Sequence, residues 1–263
     1  MTARPTAPSV PSAGSAPSAG SAPAAAPAAA GPAELAGLAA DRVIAVVRAP
    51  SVPDPAALCA ALAAGGIHWV EFTCTTPGLP ALLRAAGADG PGCRIGAGTV
   101  LTAGQAAAVL DAGAGFVVTP GCRPAVAAAA QRAGAPSVLG ALTPTEVAQA
   151  VDLGATAVKI FPARAFGPRY LRDLAGPYPG VPLVASGGVN AGNAGDFLAQ
   201  GALAVCAGTD VLPPDAVAAG DWSGITRRAA AFVAALPAVP APHGAVPVPC
   251  PGSSTRLDSA TSA

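Results

Sequence analysis

Two kinds of segment alternate through most of this chain, and the alternation constrains the fold more than any other feature. Short apolar runs rich in β-branched residues are each followed by a longer stretch rich in alanine and leucine. A strand buried on both faces reads as a continuous apolar run, and helices of the intervening type can cover it. The predicted strands are Val43–Val47, Trp69–Thr73, Arg94–Gly98, Phe116–Thr119, Ser137–Ala141, Ala157–Phe161, Leu183–Ser186 and Ala204–Gly208.

Helix signals lie between these runs. Proline stands in the first turn of several predicted helices, the capping residues Thr102, Thr143 and Asn190 precede others, and glycine follows many of them. Eight strand–helix units predict a single-domain α/β fold, the (β/α)₈ TIM barrel. A doubly wound parallel sheet is the alternative, but no predicted strand leads into a GxGxxG turn. The predicted helices include Pro55–Ala64, Ala103–Ala112, Pro124–Ala133, Pro144–Asp152 and Ala191–Gln200.

Both ends of the chain are low in complexity. Residues 1–33 are mostly alanine, proline, serine and glycine, and residues 237–263 are also rich in proline. Proline breaks helices and small side chains bury little apolar surface, so we expect disordered extensions around a barrel domain at residues 34–236. Prolines also interrupt any apolar core that a signal peptide would need. A start codon assigned upstream of the true one is the other explanation for the first extension.

The charge balance limits the classes of partner. The chain has 14 Lys and Arg against 14 Asp and Glu, so no net charge attracts it to nucleic acid or to an anionic membrane. No apolar run reaches the ~20 residues that span a bilayer. The six cysteines form no CxxC pair and there are two histidines, so we expect neither a metal nor another cofactor. We expect a cytoplasmic protein that binds small molecules or copies of itself.

One basic residue differs from the others. Lys159 is the only lysine, all other basic residues are arginines, and it lies within the apolar strand AVKIF. A lysine at a sheet edge, or one whose stem is buried and whose ammonium reaches water, would be structural. A parallel barrel has no free edge, however, and lysine, unlike arginine, can lose its proton in an apolar setting and attack a carbonyl. We therefore predict a Schiff-base nucleophile at Lys159.

Glu71 lies in the middle of the apolar strand WVEFT. An isolated buried carboxylate is costly, so we expect it to be paired or functional. The structural alternative is an ion pair with Arg48 or Arg94 on a neighbouring strand. Strands 2 and 6 face each other across an eight-stranded barrel, so Glu71 and Lys159 can reach one central cavity. We predict that Glu71 is a general acid and base beside Lys159.

Glycine-rich segments close the last two predicted strands. One reads Ser186-Gly187-Gly188 and the other includes Gly208-Thr209. Glycines let backbone N–H groups approach an anion, and barrels often bind phosphate at this pair of loops. Together with a lysine nucleophile, these segments predict a phosphorylated carbonyl substrate.

The order of the motifs VVRA, VEFTCTTP, IGAGTVLT, VVTPG, VKIFPARAFGP, VASGGVN and AGTDVL resembles the family of 2-keto-3-deoxy-6-phosphogluconate (KDPG) and 4-hydroxy-2-oxoglutarate (KHG) aldolases. The resemblance covers about residues 36–236. It implies a class I aldolase on a (β/α)₈ barrel, without a metal and usually a homotrimer. In the implied reaction, Lys159 forms an imine with a 2-keto-4-hydroxy acid and Glu71, through a water, takes the C4 hydroxyl proton. With KDPG the products would be pyruvate and glyceraldehyde 3-phosphate.

The resemblance also implies roles for further residues. Thr99 would contact the pyruvate part of the substrate, and Arg48 resembles an anion-binding arginine of the family. Pro120 and Phe161 would line the pocket. The phosphate would be bound by Ser186, Gly187, Gly188, Gly208 and Thr209, the last of which is serine in many relatives.

Two positions depart from the family pattern. Some members carry a carboxylate-binding arginine where Thr75 stands, so Arg48, Thr99 or backbone groups would take over that contact. Arg164 stands where some relatives have glutamate or a small residue, and it either contacts an anionic substrate or faces solvent. These departures leave KDPG, its galactonate epimer and 4-hydroxy-2-oxoglutarate open as substrates.

Three other functions fit parts of the pattern. A Schiff-base lyase of the deoxyribose-phosphate or dihydrodipicolinate type would share the lysine but not this motif order. A phosphate-binding barrel isomerase would use the glycine-rich ends without imine chemistry. A non-catalytic assembly module would use neither.

Overall fold

A computed structural model describes residues 32–87 and 92–238, and within them eight parallel strands close into a barrel. The strands follow one another around the barrel in chain order, and the last pairs with the first. The predicted (β/α)₈ barrel is confirmed, and nearly all of both predicted extensions lies outside the described residues. The strands are β1 Val43–Val47, β2 Trp69–Thr73, β3 Arg94–Gly98, β4 Val117–Val118, β5 Ser137–Ala141, β6 Ala157–Ile160, β7 Leu183–Ala185 and β8 Ala202–Ala207.

One helix precedes the first strand, and the others follow the strands and cover the outside of the barrel. A 3₁₀ turn, Ala163–Ala165, comes directly after β6. The helices are α1 Pro32–Asp41, α2 Pro55–Ala64, α3 Leu79–Gly87, α4 Ala103–Asp111, α5 Pro124–Arg132, α6 Pro144–Asp152, α7 Arg169–Ala175, α8 Ala194–Ala199, α9 Pro214–Ala219 and α10 Trp222–Ala234.

Several predicted elements are longer than the observed ones, and the differences at β4 and α8 matter most. Strand β4 has two residues, although Phe116 O, just before it, still accepts a hydrogen bond from Ala97 N of the paired strand β3. Helix α8 starts at Ala194 rather than at residue 191, so the predicted cap at Asn190 is wrong. The Asn190 side chain instead accepts a hydrogen bond from Gly192 N at 2.9 Å, which closes a turn before the helix.

Side chains along each strand alternate between the barrel interior and the layer beneath the helices. Val138 and Val184 belong to an interior apolar cluster, whereas their neighbours Leu139 and Leu183 pack in the larger outer cluster. Leu38 of α1 completes the interior cluster. The helices therefore cover one face of the sheet, and the other face encloses a separate, smaller core.

Aromatic rings fill the amino-terminal part of the interior. The rings of Trp69 and Phe116 lie 5.2 Å apart between centroids. Gly96 makes room for them, because a Cβ there would come within 2.5 Å of the Phe116 ring. Glu71 lies two residues beyond Trp69 on β2 and therefore faces the interior as well. On β6, Lys159 lies two residues beyond the interior residue Ala157 and faces the same way. The apolar interior thus ends in a layer that contains two charged side chains.

Candidate active site

Glu71 and Lys159 meet inside the barrel. Strands β2 and β6 lie on opposite sides of the ring, so their inward side chains approach each other near its centre. The Nζ atom of Lys159 lies 3.6 Å from Oε2 of Glu71. Glu71 is fully buried and Lys159 is 6% exposed. The structure therefore brings together the two residues that the sequence singled out.

Two glycines near this pair allow close contacts that a side chain would block. A Cβ on Gly98, the last residue of β3, would overlap the carboxylate of Glu71. Gly140 of β5 is in register with Lys159, and a Cβ there would overlap the backbone of Pro120. Glycine therefore fits best at both positions, and Pro120 packs against β5, the strand beside the one that carries Lys159.

Among the residues that the structure describes, the Glu71 carboxylate has no hydrogen-bond partner. Neither of its oxygens is bonded to any described residue, and 3.6 Å to Lys159 is beyond ordinary hydrogen-bond length. The ion pairs to Arg48 or Arg94 that the sequence left open are not formed. Arg48 donates to Thr99 instead, and Arg94 lies 4.9 Å from the centroid of Trp69. A buried acceptor without a donor is costly, which is typical of a group that completes its bonds with a ligand.

Arg48 is positioned by a residue with an unusual backbone. Its Nη2 atom donates to the Thr99 hydroxyl at 3.3 Å. Thr99 has a φ of 55°, in the left-handed region that β-branched residues rarely adopt. Such a conformation costs about 1–3 kcal/mol and is found mainly at functional sites. The fold thus holds Thr99 where its hydroxyl contacts the arginine.

A cavity of about 290 Å³ opens at the carboxyl ends of the strands. Barrel enzymes carry their active sites at this end. Lys159 lines it, and its Nζ atom lies 5.7 Å from the centroid of the Phe161 ring. The predicted site residues that line the cavity are Arg48, Lys159, Phe161, Ser186, Gly187, Gly188, Gly208 and Thr209.

The remaining predicted residues lie outside the cavity lining. Glu71 and Thr99 contact the lining residues Lys159 and Arg48, and Pro120 packs against Gly140, which is in register with Lys159. Thr75 is different, because its side chain is exposed and its hydroxyl shares a hydrogen bond of 2.8 Å with Thr73. The structure does not bring Thr75 to the cavity.

The loop after β7 has its carbonyl groups bonded within the protein. Ser186 O accepts from Ala163 N at 2.7 Å, and Gly187 O accepts from Arg164 N at 3.0 Å. No described residue accepts a hydrogen bond from the N–H groups of Gly187 and Gly188. Both glycines have positive φ, 88° and 86°, which other residues rarely adopt. This loop offers free backbone donors beside the cavity.

The loop after β8 repeats this arrangement. Gly208 O accepts hydrogen bonds from Val211 N and Leu212 N at 3.1 and 2.9 Å. Within the described chain, no acceptor is found for the N–H groups of Gly208 and Thr209. Unpaired N–H groups from two adjacent loops form a site suited to an anion.

Sequence reasoning missed three lining residues, Val46, Val189 and Cys206. The alternation along β8 could have found Cys206, which is two residues before Gly208 and so on the same face. Burial raises the pKa of the Cys206 thiol to about 11. The thiol is therefore protonated near neutral pH and is not a nucleophile there.

A second cavity, of about 240 Å³, lies beside the loop after β2 and helix α4. Cys74, Thr76 and Gln105 are among its lining residues, none of which is charged. It therefore offers none of the groups that imine chemistry needs. Within residues 32–87 and 92–238, no group of three His, Cys, Asp or Glu side chains could hold a metal ion. None of the helices in these ranges could span a bilayer.

The profile of the KDPG and KHG aldolases matches residues 36–228, nearly the whole barrel. The chain belongs to the KDPG and KHG aldolase family. This confirms the predicted family and the prediction that the protein is a carbon–carbon lyase.

Individual family members match most of the chain. The 2-dehydro-3-deoxy-phosphogluconate aldolase of Treponema pallidum is 37% identical over 186 residues, which cover 70% of this chain and 89% of the relative. The KHG/KDPG aldolase of Escherichia coli K12 is 34% identical over 188 residues, covering 71% and 88% respectively. A crystal structure of the Legionella pneumophila KDPG aldolase holds pyruvate as a covalent carbinolamine. It matches with a TM-score of 0.70 at 33% identity, over 76% of this chain and 97% of that one.

Proposed function

We propose that the protein is a class I aldolase in which Lys159 forms a Schiff base with a 2-keto-4-hydroxy acid and Glu71 transfers protons. One observation carries this proposal. The buried amine of Lys159 lies 3.6 Å from the Glu71 carboxylate, which has no hydrogen bond to any described residue, where a cavity opens at the carboxyl end of the barrel. Membership of the aldolase family supports the same chemistry.

The first half of the reaction builds the imine. The Lys159 nitrogen, once it has lost a proton, attacks the C2 carbonyl carbon and forms a carbinolamine. Loss of water from the carbinolamine gives a protonated imine. Glu71 is the carboxylate beside this nitrogen, so we assign it the proton transfers of these steps.

The second half breaks the C3–C4 bond. Glu71 accepts the proton of the C4 hydroxyl, the C4–O bond becomes a carbonyl, and the C3–C4 electron pair moves toward the protonated imine. An aldehyde leaves and an enamine remains on Lys159. Glu71 returns the proton to C3, and water then hydrolyses the imine to release pyruvate and free Lys159.

The substrate we favour is KDPG, with glyceraldehyde 3-phosphate as the second product. The free N–H groups beside the cavity fit its phosphate. Arg48 with Thr99 fits its carboxylate, since position 75 is a threonine and not an arginine. Its galactonate epimer and 4-hydroxy-2-oxoglutarate are the alternative substrates. A pyruvate-release assay across the three acids ranks them, and we expect the highest kcat/KM with KDPG.

Reductive trapping tests the imine. Borohydride added together with pyruvate should fix a covalent adduct, and peptide mass spectrometry should place it on Lys159. The Lys159→Arg variant should keep the circular dichroism spectrum of the wild type, form no adduct and release no pyruvate, because a guanidinium does not lose its proton near neutral pH. A wild-type protein that turns over without a trappable adduct would contradict the mechanism.

We also propose that the protein is a cytoplasmic homotrimer, as the family resemblance implies. Light scattering of the purified full chain measures the assembly, and a mass of one or two chains would contradict it.

A further inference from the structure

Arg164 is a cation at the cavity that the steps above do not use. It lies in the 3₁₀ turn Ala163–Ala165 after β6, and it lines the cavity. Lys159 is paired with Glu71, whereas no carboxylate in the described part of the chain lies within ion-pair distance of Arg164. The guanidinium is thus free to bind an anion that enters from solution.

The backbone of Arg164 is attached to the glycine loop after β7. Its N–H donates to Gly187 O at 3.0 Å, and the preceding Ala163 N–H donates to Ser186 O at 2.7 Å. These two bonds fix the position of the Arg164 Cα relative to the free N–H groups of Gly187 and Gly188. The arginine and the loop therefore form one unit.

The side-chain stem of Arg164 crosses this loop. A Cβ on Gly188 would lie 2.6 Å from Arg164 Cβ and 3.0 Å from its Cδ. The stem is therefore packed on the glycine backbone over most of its length. Packing of this kind restricts the rotamers of a long side chain, so less entropy is lost when the guanidinium binds.

The cavity offers more hydrogen-bond donors than a single carboxylate group can use. Its lining contains Arg48, Lys159 and Arg164 but no acidic residue, and the buried Glu71 offsets one of these charges. Arg164 adds a planar fork of N–H donors to the free N–H groups of two loops. A phosphate monoester has three terminal oxygens and up to two charges, so it matches this set better than a carboxylate with two oxygens and one charge.

We propose that Arg164 binds the distal phosphate of the substrate and sets a preference for a phosphorylated keto acid over one that ends in a carboxylate. This proposal rests on the proposed aldolase function and adds a specificity-determining residue to it. Lys159 and Glu71 perform the chemistry at one side of the cavity, and Arg164 holds the far end of the substrate.

Steady-state kinetics of Arg164→Gln test this role. The matched control is Arg169→Gln, five residues further on in α7, at an exposed arginine outside the cavity lining. For KDPG we expect Arg164→Gln to raise KM about 10- to 100-fold, because the variant loses a charge-assisted hydrogen bond to the phosphate. The kcat for KDPG should change little. We expect the KM for 4-hydroxy-2-oxoglutarate to change less than about threefold, and Arg169→Gln to match the wild type.

Inorganic phosphate provides a direct probe. It should compete with KDPG in the wild type, and its inhibition constant should rise in Arg164→Gln by about the same factor as KM. An equal loss of kcat/KM with both substrates would assign Arg164 a structural role and overturn the proposal, as would an unchanged KM for KDPG. If Arg164→Gln does not fold, Arg164→Lys carries the test, because it lacks the planar fork and should still raise KM for KDPG.

Pyruvate trapping separates this proposal from the aldolase function. It needs no phosphate, so Arg164→Gln should form the Lys159 adduct as the wild type does. A normal adduct together with an unchanged KM for KDPG overturns the role of Arg164 alone. A wild type that forms no adduct overturns the aldolase mechanism and this proposal with it.

Discussion

Glu71 and Glu146 have the same carboxylate in opposite environments. Glu146, in the first turn of α6, accepts hydrogen bonds at Oε2 from Leu142 N, Thr143 N and the Thr143 hydroxyl at 2.9, 2.8 and 2.9 Å. It is partly exposed to solvent. Glu71 is fully buried in the barrel and accepts no hydrogen bond from any described residue.

The difference separates stability from function. The Glu146 carboxylate is already hydrogen-bonded within the protein, and the Leu142 and Thr143 N–H groups lower its pKa from the ordinary value. Glu71 makes no such bonds, so its burial lowers stability unless a ligand completes them. Residues that satisfy every local rule stabilise the fold, whereas a residue that breaks one is where function is expected.

The largest effect should come from Glu71→Gln. This change keeps the size of the side chain but removes its ability to accept a proton. We expect kcat for pyruvate release to fall about 100- to 10,000-fold, the usual contribution of a general acid or base. Stopped assays with KDPG, at substrate concentrations well above KM, measure it.

The circular dichroism spectrum is the control for this variant. It should match that of the wild type, because glutamine occupies the same volume. A kcat within tenfold of the wild type would show that Glu71 is a structural partner of Lys159 and would remove the contrast with Glu146.

A smaller effect should follow from Gly98→Ala, which keeps the Glu71 side chain but displaces its carboxylate. The added methyl would overlap the Glu71 carboxylate. Moving a reacting group by about 1 Å costs about 100-fold in rate, so we expect kcat to fall by roughly that factor. Overpacking should also lower the free energy of unfolding by about 1–3 kcal/mol, measured by urea denaturation.

Gly104→Ala is the matched control, since a Cβ there meets no atom closer than 4.0 Å. It lies in helix α4 and should leave kcat unchanged while raising the free energy of unfolding by about 0.5–1 kcal/mol. Similar kinetics in both variants would mean that the position of the Glu71 carboxylate does not limit catalysis.

The elements of the fold were largely predictable from local patterns. Runs such as Val43–Val47 are strands because β-branched residues suit a buried parallel sheet, and the threonine caps of α4 and α6 are formed as predicted. Helix α8 was misplaced because the Asn190 side chain stabilises a turn as well as it caps a helix. The sequence alone is compatible with both the turn and the cap, and it does not show which of them forms.

The site was predictable in its residue types and less so in its contacts. Apolar strands with a single charged residue identified Glu71 and Lys159, since such residues are rare and costly there. The partner of Arg48, the positive φ of Thr99 and the stem of Arg164 on Gly188 depend on loops from different strands. No local pattern specifies those distances, because each is set by the closure of the whole barrel.

The smallest effect should come from Glu146→Ala, which removes one helix cap. We expect it to lower the free energy of unfolding by about 1 kcal/mol at pH 7 and to leave kcat unchanged. The folded-state pKa of Glu146 is lowered, so its contribution is present above the ordinary pKa of 4.5 and is lost as pH falls through the folded value. The difference between variant and wild type should therefore shrink in urea denaturation at acid pH.

Helix α4 supplies the internal control, because it begins with the same capping box built from uncharged residues. Thr102 accepts a hydrogen bond from Gln105 N at 3.1 Å, and Gln105 Oε1 accepts from Thr102 N at 3.2 Å. Glutamine does not titrate, so the cost of Gln105→Ala should be the same at pH 7 and at acid pH. If both variants lose their effect in acid, the change comes from general unfolding of the barrel rather than from the Glu146 carboxylate. If only the cost of Glu146→Ala depends on pH, the Glu146 carboxylate contributes to stability through its charged form.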